Sequence, residues 1–115
     1  MAYSEQQLTD LAKNNPKELA RFLSSPNTDI HTLTFGVEVL GELGKDEGIV
    51  LPVLRRLLKH MNAIIREGAM MGISTFYLGI DPPQDIIDRL SIMALNDPSP
   101  ECRDCAETML KGYGK

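Results

Sequence analysis

A frame of four positions recurs three times along the chain and leaves few folds open to it. Each copy begins with a leucine. Proline or methionine follows three positions after that leucine, an apolar residue seven positions after it, and histidine or arginine eight positions after it. The copies are Leu23, Pro26, Ile30 and His31; Leu58, Met61, Ile65 and Arg66; and Leu95, Pro98, Cys102 and Arg103. The leucines are 35 and 37 residues apart. Self-similarity at such a period is typical of stacked supersecondary units, which bind partners on extended surfaces.

Composition and charge exclude several classes of function. The chain has 115 residues, a net charge of −4 and an isoelectric point of about 5.1. An acidic balance argues against nucleic acid as the main ligand, because phosphate backbones attract basic surfaces. The longest uncharged stretch, residues 68–80, is shorter than the roughly 20 residues of a membrane span, and residues 1–7 lack the apolar run of a signal peptide. We therefore expect one soluble, cytoplasmic domain over residues 1–115.

Apolar periodicity and capping signals predict seven α-helices and no strand. Ser4 with Gln7 has the pattern of a capping box, and Asn15 before Pro16 is typical of a second helix start. The other helices are predicted to begin beside Asp29, Ile49 or Val50, Asn62, Asp81 and Ser99.

Further predictions concern the ends of the third and fourth helices and three side chains of the core. Because proline fits a helix only in its first turn, Pro52 predicts that the fourth helix, which follows Asp46 and ends near His60, has its hydrogen-bonded part begin near residues 49–50. Gly44 is expected to end the third helix in a left-handed conformation. The apolar periodicity of the helices also predicts that Ile30, Met61 and Met71 lie in the core.

Short connections between the helices predict antiparallel hairpins. The expected units are residues 4–25, 29–60 and 63–96, followed by a half-unit over residues 99–112. A lone hairpin cannot bury its apolar face, so these units should be stable only when stacked on one another.

The second and third copies of the frame resemble HEAT repeats, especially the short kind found in phycobilisome-lyase-like proteins. That pattern has a proline-led helix, leucines, a polar turn, and a helix with arginine three positions before alanine. The matching residues are Pro52, Leu54, Leu57, Leu58, Arg66 and Ala69, and then Leu95, Asn96, Asp97, Pro98, Arg103 and Ala106. The first unit departs from it, with His31 and Thr34 at the arginine and alanine positions. The resemblance implies an all-α, right-handed α–α superhelix, a HEAT-like solenoid of about three and a half hairpins.

The same resemblance implies a structural role for two arginines. Arg66 and Arg103 would form a ladder between neighbouring units, with Asp97 as an acceptor at the turn between them. A guanidinium beside a carboxylate and turn carbonyls forms charge-assisted hydrogen bonds, which would fix the angle between units.

The sequence shows no pattern of a catalytic, metal or cofactor site. It has no nucleophile with an evident base and no phosphate-binding glycine loop. Cys102 and Cys105 are three residues apart, but a zinc site needs four ligands, and His31 and His60 belong to other units. We therefore expect a protein that is not an enzyme and that carries no metal and no cofactor.

A cluster of cations on the fourth helix is the clearest candidate binding surface. Residues 48–66 contain Arg55, Arg56, Lys59 and Arg66 and no acid, whereas the segments on either side each contain eight acids and four bases. At 100° per residue, the first three cations lie opposite the apolar stripe of their helix. The resemblance places this helix on the concave face, where the cations would bind an acidic segment of a protein partner. Alternatively, they only stabilise a helix end and keep its surface solvated.

The sixth helix supplies further candidates for the same surface. Asp85, Asp88 and Arg89 lie near Ile92, which falls off the apolar stripe of its helix. An exposed isoleucine surrounded by charges would be an apolar contact for the partner.

These patterns predict a non-enzymatic interaction or scaffold module that binds a protein partner on the second helices of its hairpins. Two alternatives stay open: a nucleic-acid-binding HEAT-like domain, as in DNA glycosylases built from such repeats, and a subunit of a chromophore-lyase-type enzyme. The unpaired seventh helix is a cap, a surface for forming a homo-oligomer, or a cut through a longer solenoid.

Overall fold

The computed structural model describes residues 3–26 and 28–115, and within them the chain forms seven α-helices and no strand. The helices are α1 (Glu5–Asn14), α2 (Pro16–Leu23), α3 (Ile30–Leu43), α4 (Glu47–Leu57), α5 (Ala63–Phe76), α6 (Gln84–Asn96) and α7 (Pro100–Gly112). The all-helical class predicted from the sequence is confirmed for this part of the chain. Met1, Ala2 and Asn27, which belong to the predicted domain 1–115, lie outside it.

Local capping chemistry places most helix starts where the sequence predicts them. At α1, the Ser4 hydroxyl accepts a hydrogen bond from the Gln7 amide, and the Gln7 side chain accepts one from the Ser4 amide. The side chains of Asn15, Asp29 and Ser99 accept amide hydrogen bonds at the starts of α2, α3 and α7. Each of these groups satisfies an amide that the helix itself leaves without a partner.

The prediction that Pro52 lies in the first turn of α4 is wrong, whereas the first backbone-bonded amides are those of Ile49 and Val50, as predicted. This helix begins at Glu47, after Asp46, whose carboxylate accepts from the Gly48 amide, and Pro52 lies inside the helix. Proline removes one intrahelical hydrogen bond, and Pro52 lies on the exposed side, where water can solvate the carbonyl left without that bond.

Two further predictions are also wrong: that Asp81 caps α6, and that Gly44 ends α3 in a left-handed conformation. The helix begins at Gln84, and its first flanking residue is Pro83, with no side-chain cap. A residue before proline avoids the helical region, so Pro82 cannot start the helix. Gly44 is extended, with φ −70° and ψ 142°.

The chain divides into two compact units, one ending at Phe76 and the other spanning Tyr77–Lys115. In the first, α1, α3 and α5 pack side by side as one row, and α2 packs against α4 as a second row that covers α3 and α5. Side chains buried between the rows include Leu19, Val37, Leu40, Leu54 and Ile73. Organisation as one domain over residues 1–115 stays a prediction.

Two glycines let α3 and α5 approach at backbone distance. A Cβ atom on Gly41 would lie 2.7 Å from the Cα of Gly72 and closer still to its carbonyl oxygen. Further along the same seam, a Cβ on Gly68 would lie 3.2 Å from the Thr34 methyl group. Since Thr34 faces Gly68 and Gly41 faces Gly72, the two helices run parallel.

The second unit consists of the turn from Tyr77 and the pair α6 and α7, which pack against each other. Its core includes Ile86, Leu90, Met93, Cys102 and Ala106. The chain end returns to the start of the unit, since the Lys115 ammonium lies 3.5 Å from the Asp81 carboxylate.

Three side chains that the periodicity assigns to the core are exposed: Ile30, Met61 and Met71. Met61 is 95% exposed because α4 ends at Leu57, so the helical spacing no longer applies four residues later. Ile30 is the first residue of α3, and Met71 lies on the outer side of α5. Burial also differs among the leucines of the repeated frame, since Leu23 and Leu58 are buried whereas Leu95 is 79% exposed.

Candidate functional site

The two rows of helices in the first unit carry charge of opposite sign. Helices α1, α3 and α5 contain five acids and two bases, whereas α2 and α4 contain two acids and four bases. Lys59, two residues after the end of α4, adds a fifth cation next to this row. The chain as a whole is acidic, yet the α2–α4 row carries an excess of positive charge.

Three of these cations are the ones that the sequence singles out on α4. Arg55, Arg56 and Lys59 are all exposed. Arg55 and Arg56 lie on the side of α4 away from the buried Val53, Leu54 and Leu57, and Leu58, which follows the helix with helical backbone angles, carries the same turn on to Lys59. Their role in binding stays a prediction.

Arg56 connects the two helices of the row. Its Nη1 donates to the Ser24 hydroxyl at 2.8 Å, and its Nη2 donates to the Leu23 carbonyl at 2.9 Å. Those acceptors lie at the carboxyl end of α2, where carbonyls lack intrahelical partners. Partial burial lowers the pKa of Arg56, but a guanidinium remains charged at neutral pH.

Two cations of α2 that were not predicted from the sequence, Lys17 and Arg21, lie beside the cations of α4. Lys17, Arg21 and Ser24 are exposed and spaced by four and three residues, so they lie on one side of α2. Because Arg56 contacts Ser24, that side of α2 adjoins the cationic side of α4. We define the basic surface as Lys17, Arg21, Arg55, Arg56 and Lys59. Of these, Arg21 is paired with Glu18 of its own helix.

The candidates on α6 belong to the second unit and form a surface of their own. Asp85, Asp88 and Ile92 are exposed, and the predicted exposure of Ile92 is confirmed at 50%. Leu95, one turn beyond Ile92, extends this line and was missed because the repeated frame treats it as equivalent to a core leucine. Arg89 is half-buried, and its Nε has no hydrogen-bond partner within the described part of the chain.

Arg66 and Arg103 have matching local environments. The Arg66 Nη1 donates to the carbonyls of His60 and Met61, both at 2.9 Å, and the Arg103 Nη1 donates to the Asp97 carbonyl at 2.6 Å. Each arginine thus binds a carbonyl six residues earlier, in the turn before its own helix. The Asp97 carboxylate accepts from the Ser99 amide. A ladder between units stays a prediction.

Two half-buried carboxylates, Glu38 and Glu67, interact electrostatically on the row formed by α1, α3 and α5. Partial burial raises the pKa of Glu38 on α3, and the charge of Glu67 on α5 raises it further. Neither carboxylate has an ion pair or hydrogen bond within residues 3–26 and 28–115. Like charges held together destabilise the fold when both are ionised.

Replacing Glu38 by glutamine should therefore stabilise the protein at neutral pH. Because the pKa of Glu38 is higher in the folded protein than in the unfolded chain, ionisation of Glu38 destabilises the fold at pH values above the folded-state pKa. This destabilisation is absent at pH values below the unfolded-state pKa, near 4.5. We expect Glu38→Gln to raise the free energy of unfolding by about 0.5 kcal/mol at pH 7, after allowance for solvent screening, and to change nothing near pH 3.5. Urea unfolding at both pH values measures this. Glu42→Gln, which removes an exposed carboxylate from the same helix, is the control, and an equal gain at both pH values would contradict the account.

No three His, Cys, Asp or Glu side chains in residues 3–26 and 28–115 cluster as metal ligands would. Cys102 is buried and Cys105 is half-buried. None of the helices in residues 3–26 and 28–115 has the length and apolar character needed to cross a bilayer.

Comparison with known proteins gives no match to a family model, a curated protein or a solved structure. The HEAT-like resemblance of the sequence therefore stays a prediction.

Proposed function

We propose that this chain is a HEAT-like interaction module that binds an acidic segment of a protein partner on its basic surface. The observation that carries the proposal is the Arg56 contact, which joins two helices and aligns the cations of both. An extended acidic segment lying across α2 and α4 would meet guanidinium and ammonium groups from each helix. Such a module would be a scaffold and not an enzyme.

The repeat character of the module is part of the proposal. Two rows of helices, with α1, α3 and α5 in one and α2 and α4 in the other, suit a right-handed superhelix of hairpins. The matching carbonyl contacts of Arg66 and Arg103, in helices 37 positions apart, support the same interpretation. In this arrangement α6 would present Asp85, Asp88, Arg89 and Ile92 as a further contact region.

A titration with an acidic peptide tests the proposal. The probe is a fluorescent twelve-residue peptide rich in aspartate and glutamate, and its anisotropy gives the dissociation constant. We expect Arg55→Glu with Lys59→Glu to weaken binding at least about tenfold. Arg56 is left unchanged because its hydrogen bonds to α2 are structural. The wild-type affinity should fall as salt rises, because exposed charges are screened.

A matched variant separates local contact from net charge. Lys13→Glu with Lys45→Glu changes the net charge by the same amount at two exposed lysines outside the basic surface. Equal loss of affinity in both variants would contradict the proposed site. Tighter binding of a short DNA duplex than of the peptide, with a steep salt dependence, would favour the nucleic-acid alternative.

A further inference from the structure

The outer side of α5 carries an exposed apolar stripe. Ile64 is 57% exposed and Met71 is 48% exposed, and a spacing of seven residues places them on one line along the helix. Met61, in the turn before α5, is a further exposed apolar side chain close to Ile64 in sequence. Large apolar side chains aligned on a surface are typical of a protein contact, whereas a single one is not.

Two carboxylates accompany this stripe. Glu67 lies between Ile64 and Met71 on α5, at spacings of three and four residues, and Glu38 of α3 interacts electrostatically with Glu67. Both side chains are half-buried, and within the described part of the chain neither has a cationic partner. A cation placed between them from outside would replace repulsion by attraction.

The helices beneath these groups are held in one geometry. Gly41 and Gly72 meet at backbone distance, and Gly68 packs against Thr34, so α3 cannot slide along α5 without a steric clash. The two carboxylates and the stripe therefore have a fixed spacing before any partner arrives. A preformed surface loses less conformational entropy on binding than a flexible one.

Charge and shape together select the partner. Two turns of apolar side chains match the face of an amphipathic helix, whose anchors recur at three, four and seven residues. The unpaired carboxylates require lysine or arginine beside those anchors and disfavour an anionic membrane or a nucleic acid. We propose that the outer surface of α3 and α5 binds a basic amphipathic helix of a protein partner. Ile64 and Met71 contact its apolar side chains, and Glu38 and Glu67 pair with its cations.

A designed peptide tests this proposal independently of the basic surface. The probe is a labelled 18-residue peptide of leucine and lysine with a helical apolar stripe. The controls are a peptide of the same composition with the stripe scrambled and a leucine–glutamate peptide with the stripe kept. In anisotropy titrations against the full chain, we expect both controls to bind at least about tenfold more weakly.

Two pairs of substitutions locate the site. Ile64→Ser with Met71→Ser, and Glu38→Gln with Glu67→Gln, should each weaken binding of the leucine–lysine peptide about tenfold. Leu78→Ser, at an exposed apolar residue outside the stripe, is the control for the first pair, and Glu101→Gln with Asp104→Asn is the control for the second. Both controls, and Arg55→Glu with Lys59→Glu, should stay within about twofold of the wild type. Circular dichroism shows that each variant is folded.

The outcomes that overturn the proposal are specific. Equal affinity for the scrambled or the leucine–glutamate peptide would mean that no amphipathic, basic helix is recognised. Unchanged binding in both pairs of variants would place the contact elsewhere. Dimers in sedimentation equilibrium that Ile64→Ser with Met71→Ser dissociates would assign the surface to a second copy of the chain.

Discussion

Replacement of Gly41 by alanine is expected to lower the free energy of unfolding by about 2–3 kcal/mol. The new methyl group would lie 2.7 Å from the Cα of Gly72, and neither backbone can move aside without separating α3 from α5. Overpacking of this kind costs about 1–3 kcal/mol in most cores and more against backbone atoms. The better helix propensity of alanine returns only about 1 kcal/mol. Urea unfolding followed by circular dichroism measures the difference.

The control is Gly112→Ala near the end of α7. A Cβ there would meet no atom within 4 Å, so this change should be neutral or slightly stabilising. If Gly41→Ala is as stable as Gly112→Ala, the close approach of α3 and α5 is wrong.

Removal of the Arg66 side chain should cost about 3 kcal/mol. Arg66 is only 8% exposed, and one of its nitrogens donates to two carbonyls of the turn between α4 and α5. Without the guanidinium, those carbonyls lose a charged donor, and a hydrogen bond to a charged group contributes about 1.5–3 kcal/mol. Arg66→Ala should therefore shift the urea midpoint strongly, with the denaturant slope unchanged.

Two further variants make this result specific. Arg66→Lys keeps the charge but not the planar guanidinium, so its stability should lie between those of the wild type and Arg66→Ala. Arg103→Ala removes a donor from one carbonyl at a half-buried position and should cost about 1 kcal/mol. If Arg66→Ala costs no more than Arg103→Ala, the turn does not depend on its buried guanidinium.

The parts of the fold that could be predicted are those decided by neighbours in sequence. Three helix starts follow from a capping side chain that accepts a hydrogen bond from an amide three residues later. The capping residues are Ser4, which pairs with Gln7, Asn15, which precedes Pro16, and Ser99. The errors arise where a rule was extended past its element. The apolar spacing of α4 was continued to Met61, although the helix had ended at Leu57.

The candidate site divides in the same way. The common side of Arg55 and Arg56 follows from helical geometry alone, and Lys59 shares it because Leu58 keeps helical backbone angles after the helix ends. Lys17 and Arg21 belong to the basic surface because α2 lies beside α4. That contact joins residues more than 30 positions apart in sequence. The exposed stripe of α5 was hidden for a related reason. Apolar residues occur on both sides of that helix, and only the packing of α3 decides which side is buried.

The opposite charge of the two helix rows has a consequence for how partners arrive. Acids on α1, α3 and α5 and bases on α2 and α4 give the unit that ends at Phe76 an electric dipole moment across its thickness. Within a Debye length, about 8 Å at physiological salt, an approaching charged molecule exerts a torque on that moment. Anionic and cationic molecules would therefore meet opposite sides of this unit, already oriented before any side chain touches.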